Sequence, residues 1–445
     1  MSDLVDKVKS VLPSVRADLE DLVRIESVWA DPARRDEVRR SADAVSKLLS
    51  EAGFDDIRIV SEGGAPAVIA RHPAPPGAPT VLLYAHHDVQ PEGDRSQWAS
   101  PPFEPTERDG RLYGRGTADD KAGIATHLAA IRAFDGSLPV GVTVFVEGEE
   151  ESGSPSLGAL LTAHQDLLAA DVIVIADSDN WSTEIPSLTV SLRGLADCVV
   201  EVATLDHGLH SGMWGGVVPD ALSVLVRLLA SLHDDDGNVA IAGLHQGSAA
   251  DVDFPPERVR EESGLLEGVT EIGSGSVTDR LWAKPAITVI GIDTTPIAKS
   301  SNTLIPRASA KVSLRVAPGG DAVQHLGALT RHLEQHAPWG ARVTVTPGDV
   351  GQPYAIDASG PVYDAARSAF RQAWGSGAID TGVGGSIPFI AAFAAAFPEA
   401  KILVTGVEDP ATQAHSIDES LDLGVLERAA TSEALLLEAL GALQR

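Results

Sequence analysis

Three apolar runs in this chain end abruptly on acidic or imidazole side chains: VLLYAHHD at 81–88, VTVFVEGEEE at 142–151 and VIVIAD at 172–177. Each reads as a buried strand. A further strand-like run covers 67–70, and helical patterns cover 41–52 and 122–133, the latter opening after Asp119-Asp120-Lys121. Strands spaced by helix-length segments predict an α/β sheet. Open α/β sheets bind ligands at the carboxyl ends of their strands. Three strands delivering acids and imidazoles there predict a single site.

The pattern changes near Ser187. SLTVSLRGLADCVVEVAT is a long period-two strand, followed by a Gly-rich turn and a helix over 220–232. Strands at 286–292 and 308–316, a helix over 321–336 and a strand at 342–345 complete a β-α-β-β-α-β order. That is the split βαβ arrangement of a ferredoxin-like module. The polar stretch 234–279 reads as an elaborated lid loop with some helix, and Asp234-Asp235-Asp236 at its start as a solvated run. From Pro361 a helical pattern resumes, with 388–397, a strand at 401–405 and a final helix over 425–443. The expected organisation is a first domain in two parts, 1–187 and 353–445, with an inserted domain over 188–352. At 445 residues the chain exceeds what one core usually serves.

Charge and cysteine usage narrow the function. A formal net charge of −29 argues against nucleic-acid binding, which needs a basic footprint. No stretch is long and apolar enough to suggest a membrane span, and the charged N-terminus lacks the apolar core of a secretory signal. Cys198 is the single cysteine, which excludes an intramolecular disulfide framework and suits a reducing cytoplasm. Its strand-like setting, ADCVVEV, predicts a buried, inert thiol.

Taken singly, the acidic motifs are unremarkable in an acidic protein. Glu149–Glu151 could be an exposed loop, and Asp119-Asp120 a helix N-cap. Together they match what two neighbouring divalent metals need: a bridging carboxylate with further imidazole and carboxylate ligands. His86 and Asp88 stand two apart, so on a strand both face one way, one ligating and the other orienting it. In Glu150-Glu151 one member can hold metal while its neighbour acts as base on water. His332 and His336, four apart on a helix, lack the H-E-x-x-H order and read as a solvated face.

The motifs YAHHDVQP, LYGRGTADDKAG, VEGEEESGS, HSGMWGG, NTLIP with SLRVAP, GGSIPF and AHSIDE resemble one family. It is the co-catalytic dizinc metallopeptidases, which include carnosinases, cytosolic non-specific dipeptidases, glutamate carboxypeptidases, and acetylornithine and succinyl-diaminopimelate deacylases. The resemblance runs from about Leu22 to the C-terminus, with the dipeptidase branch nearest. It implies a zinc-peptidase-like α/β catalytic domain with an inserted ferredoxin-like α+β lid and dimerisation domain.

Residue by residue, it implies His86 and Asp177 on one metal, Glu151 and His415 on the other, and Asp119 shared. Asp177 and Asp179 both precede Trp181, and the distance to Pro186 and Arg193-Gly194 favours Asp177. Asp88 would tune His86. Glu150 would take a proton from water held between the metals and hand it to the leaving amine. His210 would be a lid histidine that reaches the partner subunit's site and polarises the scissile carbonyl. Arg315 would bind the substrate carboxylate, with Thr303, Gly385 and Ser386 beside it. The implied cofactors are two divalent ions per subunit, zinc first, with manganese or cobalt as alternatives. The implied partners are a small peptide or acyl-amino-acid substrate and a second copy of the chain, with no nucleic acid or membrane.

The expected activity is hydrolysis of dipeptides or short peptides. A deacylase or carboxypeptidase would use the same metals, and a non-catalytic metal- or peptide-binding protein is the remaining alternative. Many dipeptidases carry a charged pair before Gly-Gly-Ser, where this chain has Gly382-Val383, so the substrate preference stays open.

Overall fold

The structure, a computed structural model, describes residues 3–249, 252–384 and 388–443. The chain forms two compact units. One comprises Met1–Val190, Ile356–Asp380 and Pro388–Arg445, and the other Ser191–Ala355 with Thr381–Ile387.

The first unit is built on a twisted sheet in which Asp56–Val60, Ala67–His72, Gly141–Glu147, Thr80–His86, Val172–Ala176, Lys401–Thr405 and Ser187–Leu192 lie side by side in that order. Gly141–Glu147, Thr80–His86, Val172–Ala176 and Lys401–Thr405 run parallel. Parallel strands are covered on both faces, which is why these runs are apolar without alternation and buried almost throughout. Val81, Leu83 and Ala85 join a core shared with the helices Asp3–Val23, Lys121–Arg132, Pro361–Trp374 and Leu423–Ala442. Tyr84, on the opposite face, stacks on Phe389 at 4.7 Å and meets Phe393 edge-on at 5.4 Å. His86 ends its strand at the carboxyl edge, in register with Glu147.

In the second unit Ala286–Asp293, Arg307–Val316, Gly194–Ala203 and Arg342–Gly351 form an antiparallel sheet in that order. The helices Ala221–Ala230 and Ala322–Gln335 pack on it, giving the expected β-α-β-β-α-β order. Cys198 is buried in this core, and its thiol is pushed up to about 11 by burial and by Asp197. An inert thiol follows. The polar stretch contributes the helix Pro256–Ser263.

One expectation needs correction. His332 does not sit on a solvated face: it is buried, its Nε2 lies 3.0 Å from both the hydroxyl and the carbonyl of Ser231, and its ring stacks on His336 at 3.9 Å. The reason is that its helix lies against the residue that follows Ala221–Ala230, a contact the pattern of one helix does not reveal. Among the described residues no helix is long and apolar enough to cross a membrane.

Candidate metal centre

The carboxyl ends of the parallel strands converge as the apolar runs suggest. His86 closes the first strand, Glu150 and Glu151 occupy the short turn Glu150–Ser152 after the second, and Asp177 directly follows the third. Asp119 precedes the helix Lys121–Arg132, and His415 lies in the loop after Lys401–Thr405 with a φ of 61°.

Asp119 is the hub of the cluster. Its Oδ1 stands 3.1 Å from His86 Nε2, and its Oδ2 stands 3.0 Å from His415 Nε2. His415 Nε2 is also 3.2 Å from Glu151 Oε2. His86 Nε2 is 3.9 Å from Glu150 Oε2 and 4.0 Å from Asp177 Oδ2. Candidate ligand atoms lie within 4.8 Å of one another in three groups: His86, Glu150 and Asp177; His86, Asp119 and Glu151; Asp119, Asp177 and Glu408.

Carboxylates outside this ligand set hold the backbone of residues inside it. Asp88 is fully buried, and its two oxygens accept the N–H groups of Glu150 and Glu151 at 3.1 and 3.2 Å. Asp120 accepts the N–H of His86 at 3.1 Å and that of Gly123 at 3.2 Å, so one side chain caps the helix and fixes the strand end. His86 Nδ1 faces the carbonyl of Asp88 at 3.0 Å, which places a proton there and makes Nε2 the nitrogen that would ligate a metal. Glu151 is oriented by Gln90, which donates to it from both backbone and side chain. Glu149 plays a different part: it is buried, accepts from Ala65 N and Ser156 N, and stands outside the three groups of candidate ligand atoms.

The electrostatics of the cluster call for cations. Burial raises the carboxyls of Glu150, Glu151 and Glu408, and brings Asp177 to about 7. His415 is raised to about 10, chiefly by Asp119 and Glu151. Burial works against a charged His86, but Asp119 and Asp88 outweigh it and raise it as well. Asp119 is held low by the two imidazoles in spite of its burial. Asp119, Glu150, Glu151, Asp177 and Glu408 thus crowd around two imidazoles, a donor set of oxygen and nitrogen that fits divalent metals.

Glu408 escaped the sequence reading. The run at 401–405 ends on the same sheet edge, and Gly406-Val407-Glu408 extends it as Asp177 extends its own strand. Asp179, the alternative to Asp177, instead hydrogen-bonds with Glu408.

The remaining candidates belong to the second unit. His210 pairs with Thr303 across two short strands, and its Nδ1 accepts the N–H of Gly212 at 3.1 Å. Its Nε2 therefore carries the proton and is available as a donor. Arg315 sits on Arg307–Val316 and has no ion-pair partner among the described residues. Beside it lies Arg193, which sequence reasoning used only for spacing. Arg193 is buried, donates from Nε to the carbonyl of Gly384 at 3.1 Å, and is pulled down to about 10 by burial and by the charge of Arg315. Gly384 leaves room for it, since a Cβ there would stand 2.7 Å from Arg193 Nη2. Gly385 and Ser386 lie outside the described residues.

Comparison with known proteins gives a consistent picture. The sequence profile described as peptidase family M20/M25/M40 matches residues 82–439. A cysteinylglycine-S-conjugate dipeptidase of Corynebacterium striatum is 36% identical over 427 residues, covering 94% of each chain. The Cys-Gly metallodipeptidase DUG1 of Saccharomyces cerevisiae is 28% identical over 461 residues, covering 95% of this chain and 94% of the relative. The crystal structure of human carnosine dipeptidase 1 superposes with a TM-score of 0.79 at 25% identity, covering 99% of this chain and 98% of that one.

Proposed function

The chain belongs to peptidase family M20/M25/M40, and from that premise we propose that it is a metal-dependent hydrolase of dipeptides or short peptides. The observation that carries the reading is Asp119, with one oxygen on each imidazole and the Glu150-Glu151 pair beside it. His86 and Asp177 would hold one divalent ion, Glu151 and His415 a second, and Asp119 both, with zinc the first choice over manganese or cobalt. Bound there, the ions supply Lewis acidity toward water and the scissile carbonyl.

Glu150 is raised by burial and is not tied by a side-chain hydrogen bond among the described residues, so it suits a group that accepts and returns a proton. Glu151, anchored by Gln90, suits a fixed ligand. His210 would donate its Nε2–H to the carbonyl oxygen as negative charge develops there, serving a neighbouring subunit. Arg315, with Arg193, Thr303, Gly384, Gly385 and Ser386, would receive the substrate's carboxylate. Dipeptide substrates are supported by relatives whose names record dipeptidase activity. A homodimer through the second unit is supported by the edge strand Ala286–Asp293, where Val289, Ile290 and Ile292 are 40%, 56% and 46% exposed. A cytoplasmic setting is supported by the lone, buried Cys198.

The test is a substrate panel. The metal-stripped chain should be inert, and restored zinc, manganese or cobalt should bring turnover of free dipeptides above that of N-acyl amino acids and longer peptides. Preference for N-acyl amino acids would assign a deacylase instead.

A further inference from the structure

Two motif residues take no part in the function proposed above: Arg115 of GRGTADDK and Glu419 of AHSIDE. Both are fully buried, 1% and 0% exposed, and their charges meet at 2.6 Å between Arg115 Nη1 and Glu419 Oε2. The Glu419 carboxylate is saturated. Oε2 also accepts the N–H of Gly116 at 3.0 Å, while Oε1 accepts those of Ala118 at 3.0 Å and of Asp119 itself at 3.2 Å. On the other side, Arg115 Nη2 donates to the carbonyl of Ser416 at 2.9 Å, one residue beyond His415.

The pair therefore grips both loops that carry the facing groups Asp119 Oδ2 and His415 Nε2. The chain adds a frame around it. Ser420–Asp422 pairs antiparallel with Arg111–Tyr113, with Ser420 opposite Tyr113, and Gly114 N donates to the carbonyl of Glu419 at 3.0 Å. A buried ion pair contributes little net stability once its desolvation is counted, and its best-attested use is to fix register. Here the register it fixes is that of two segments far apart in sequence whose side chains must converge on one point. Asp88 and Asp120 perform the same service for Glu150, Glu151 and His86, but each acts on one side of the cluster only.

We propose that Glu419, paired with Arg115, is a positioning residue that sets the separation of Asp119 and His415 and thereby the affinity for the ion held by Asp119, Glu151 and His415. The proposal rests on the dimetal reading of the centre.

The experiment titrates zinc into metal-stripped full-length wild type, Glu419→Gln and Arg115→Lys in competition with a chromophoric chelator, and records thermal melting of the metal-free proteins alongside. Gln cannot accept all of these N–H donors, so Glu419→Gln should weaken one of two ions by about 10- to 100-fold, as partners behind metal ligands do, and the other, which shares only Asp119 with it, by a clearly smaller factor. Arg115→Lys keeps the charge but drops the arm to Ser416, so it should weaken the same ion by a smaller factor. If Glu419→Gln does not fold, Arg115→Lys decides alone. Wild-type affinity for both ions, even with a lowered melting temperature, would mean a merely structural pair and overturn the proposal. Equal weakening of both ions would overturn it too. Wild type taking up fewer than two ions would instead overturn the dimetal reading on which it rests.

Discussion

His127, on the helix Lys121–Arg132, is locked between acceptors. Its Nδ1 lies 2.9 Å from both carboxylate oxygens of Glu433 and its Nε2 lies 3.0 Å from the carbonyl of Tyr84. Both ring nitrogens face acceptors, an arrangement that favours the doubly protonated imidazolium. Burial alone would lower its pKa, but the Glu433 charge and hydrogen bond prevail and raise it. A raised folded-state pKa contributes stability that is fully present below the unfolded value of about 6.5 and is lost as pH rises through the folded one. His127→Gln should therefore cost roughly 3 kcal/mol in urea unfolding at pH 6 and clearly less at pH 9. An equal cost at both would show that the imidazole is neutral in the native protein. This pair was not legible in the sequence, nor was that of Arg115 and Glu419, because a buried charge announces its partner only when the fold brings distant segments together. His86, Glu151 and Asp177 were legible as candidates because each follows an apolar run on an edge where the sheet gathers side chains.

At the scale of elements, the parallel strands were readable because burial on both faces removes the polar alternation. The same rule would have drawn attention to Glu408 after Lys401–Thr405. Helix surroundings were less readable: the spacing of His332 and His336 predicts their shared face but not that Ser231 covers part of it. The edge strand Ala286–Asp293 presents exposed apolar side chains and, among the described residues, an unpaired edge. Lysine on an edge strand blocks pairing with another chain. If the proposed dimer forms through this strand and His210 serves the neighbouring subunit, Ile290→Lys should give a monomer in sedimentation that keeps its metals and loses most turnover. A fully active monomer would place His210's role within its own chain or remove it.

For the whole molecule, the order of elements was legible because the pattern switches from parallel-strand runs to period-two strands and back. The roles of the acidic residues were legible only through the family resemblance, because a net charge of −29 spreads carboxylates over the entire chain. Burial and the N–H groups that each carboxylate accepts belong to the folded state, and they support the proposed division of roles. The central claim is that Glu150 moves the proton while its neighbours hold the metals. Metal content and dipeptide turnover, measured on the same preparation of Glu150→Gln, test it most directly. Glu150→Gln should keep wild-type metal content with turnover reduced by ~10² or more. Wild-type turnover in Glu150→Gln, or loss of its metal while Glu151→Gln keeps its own, would contradict it.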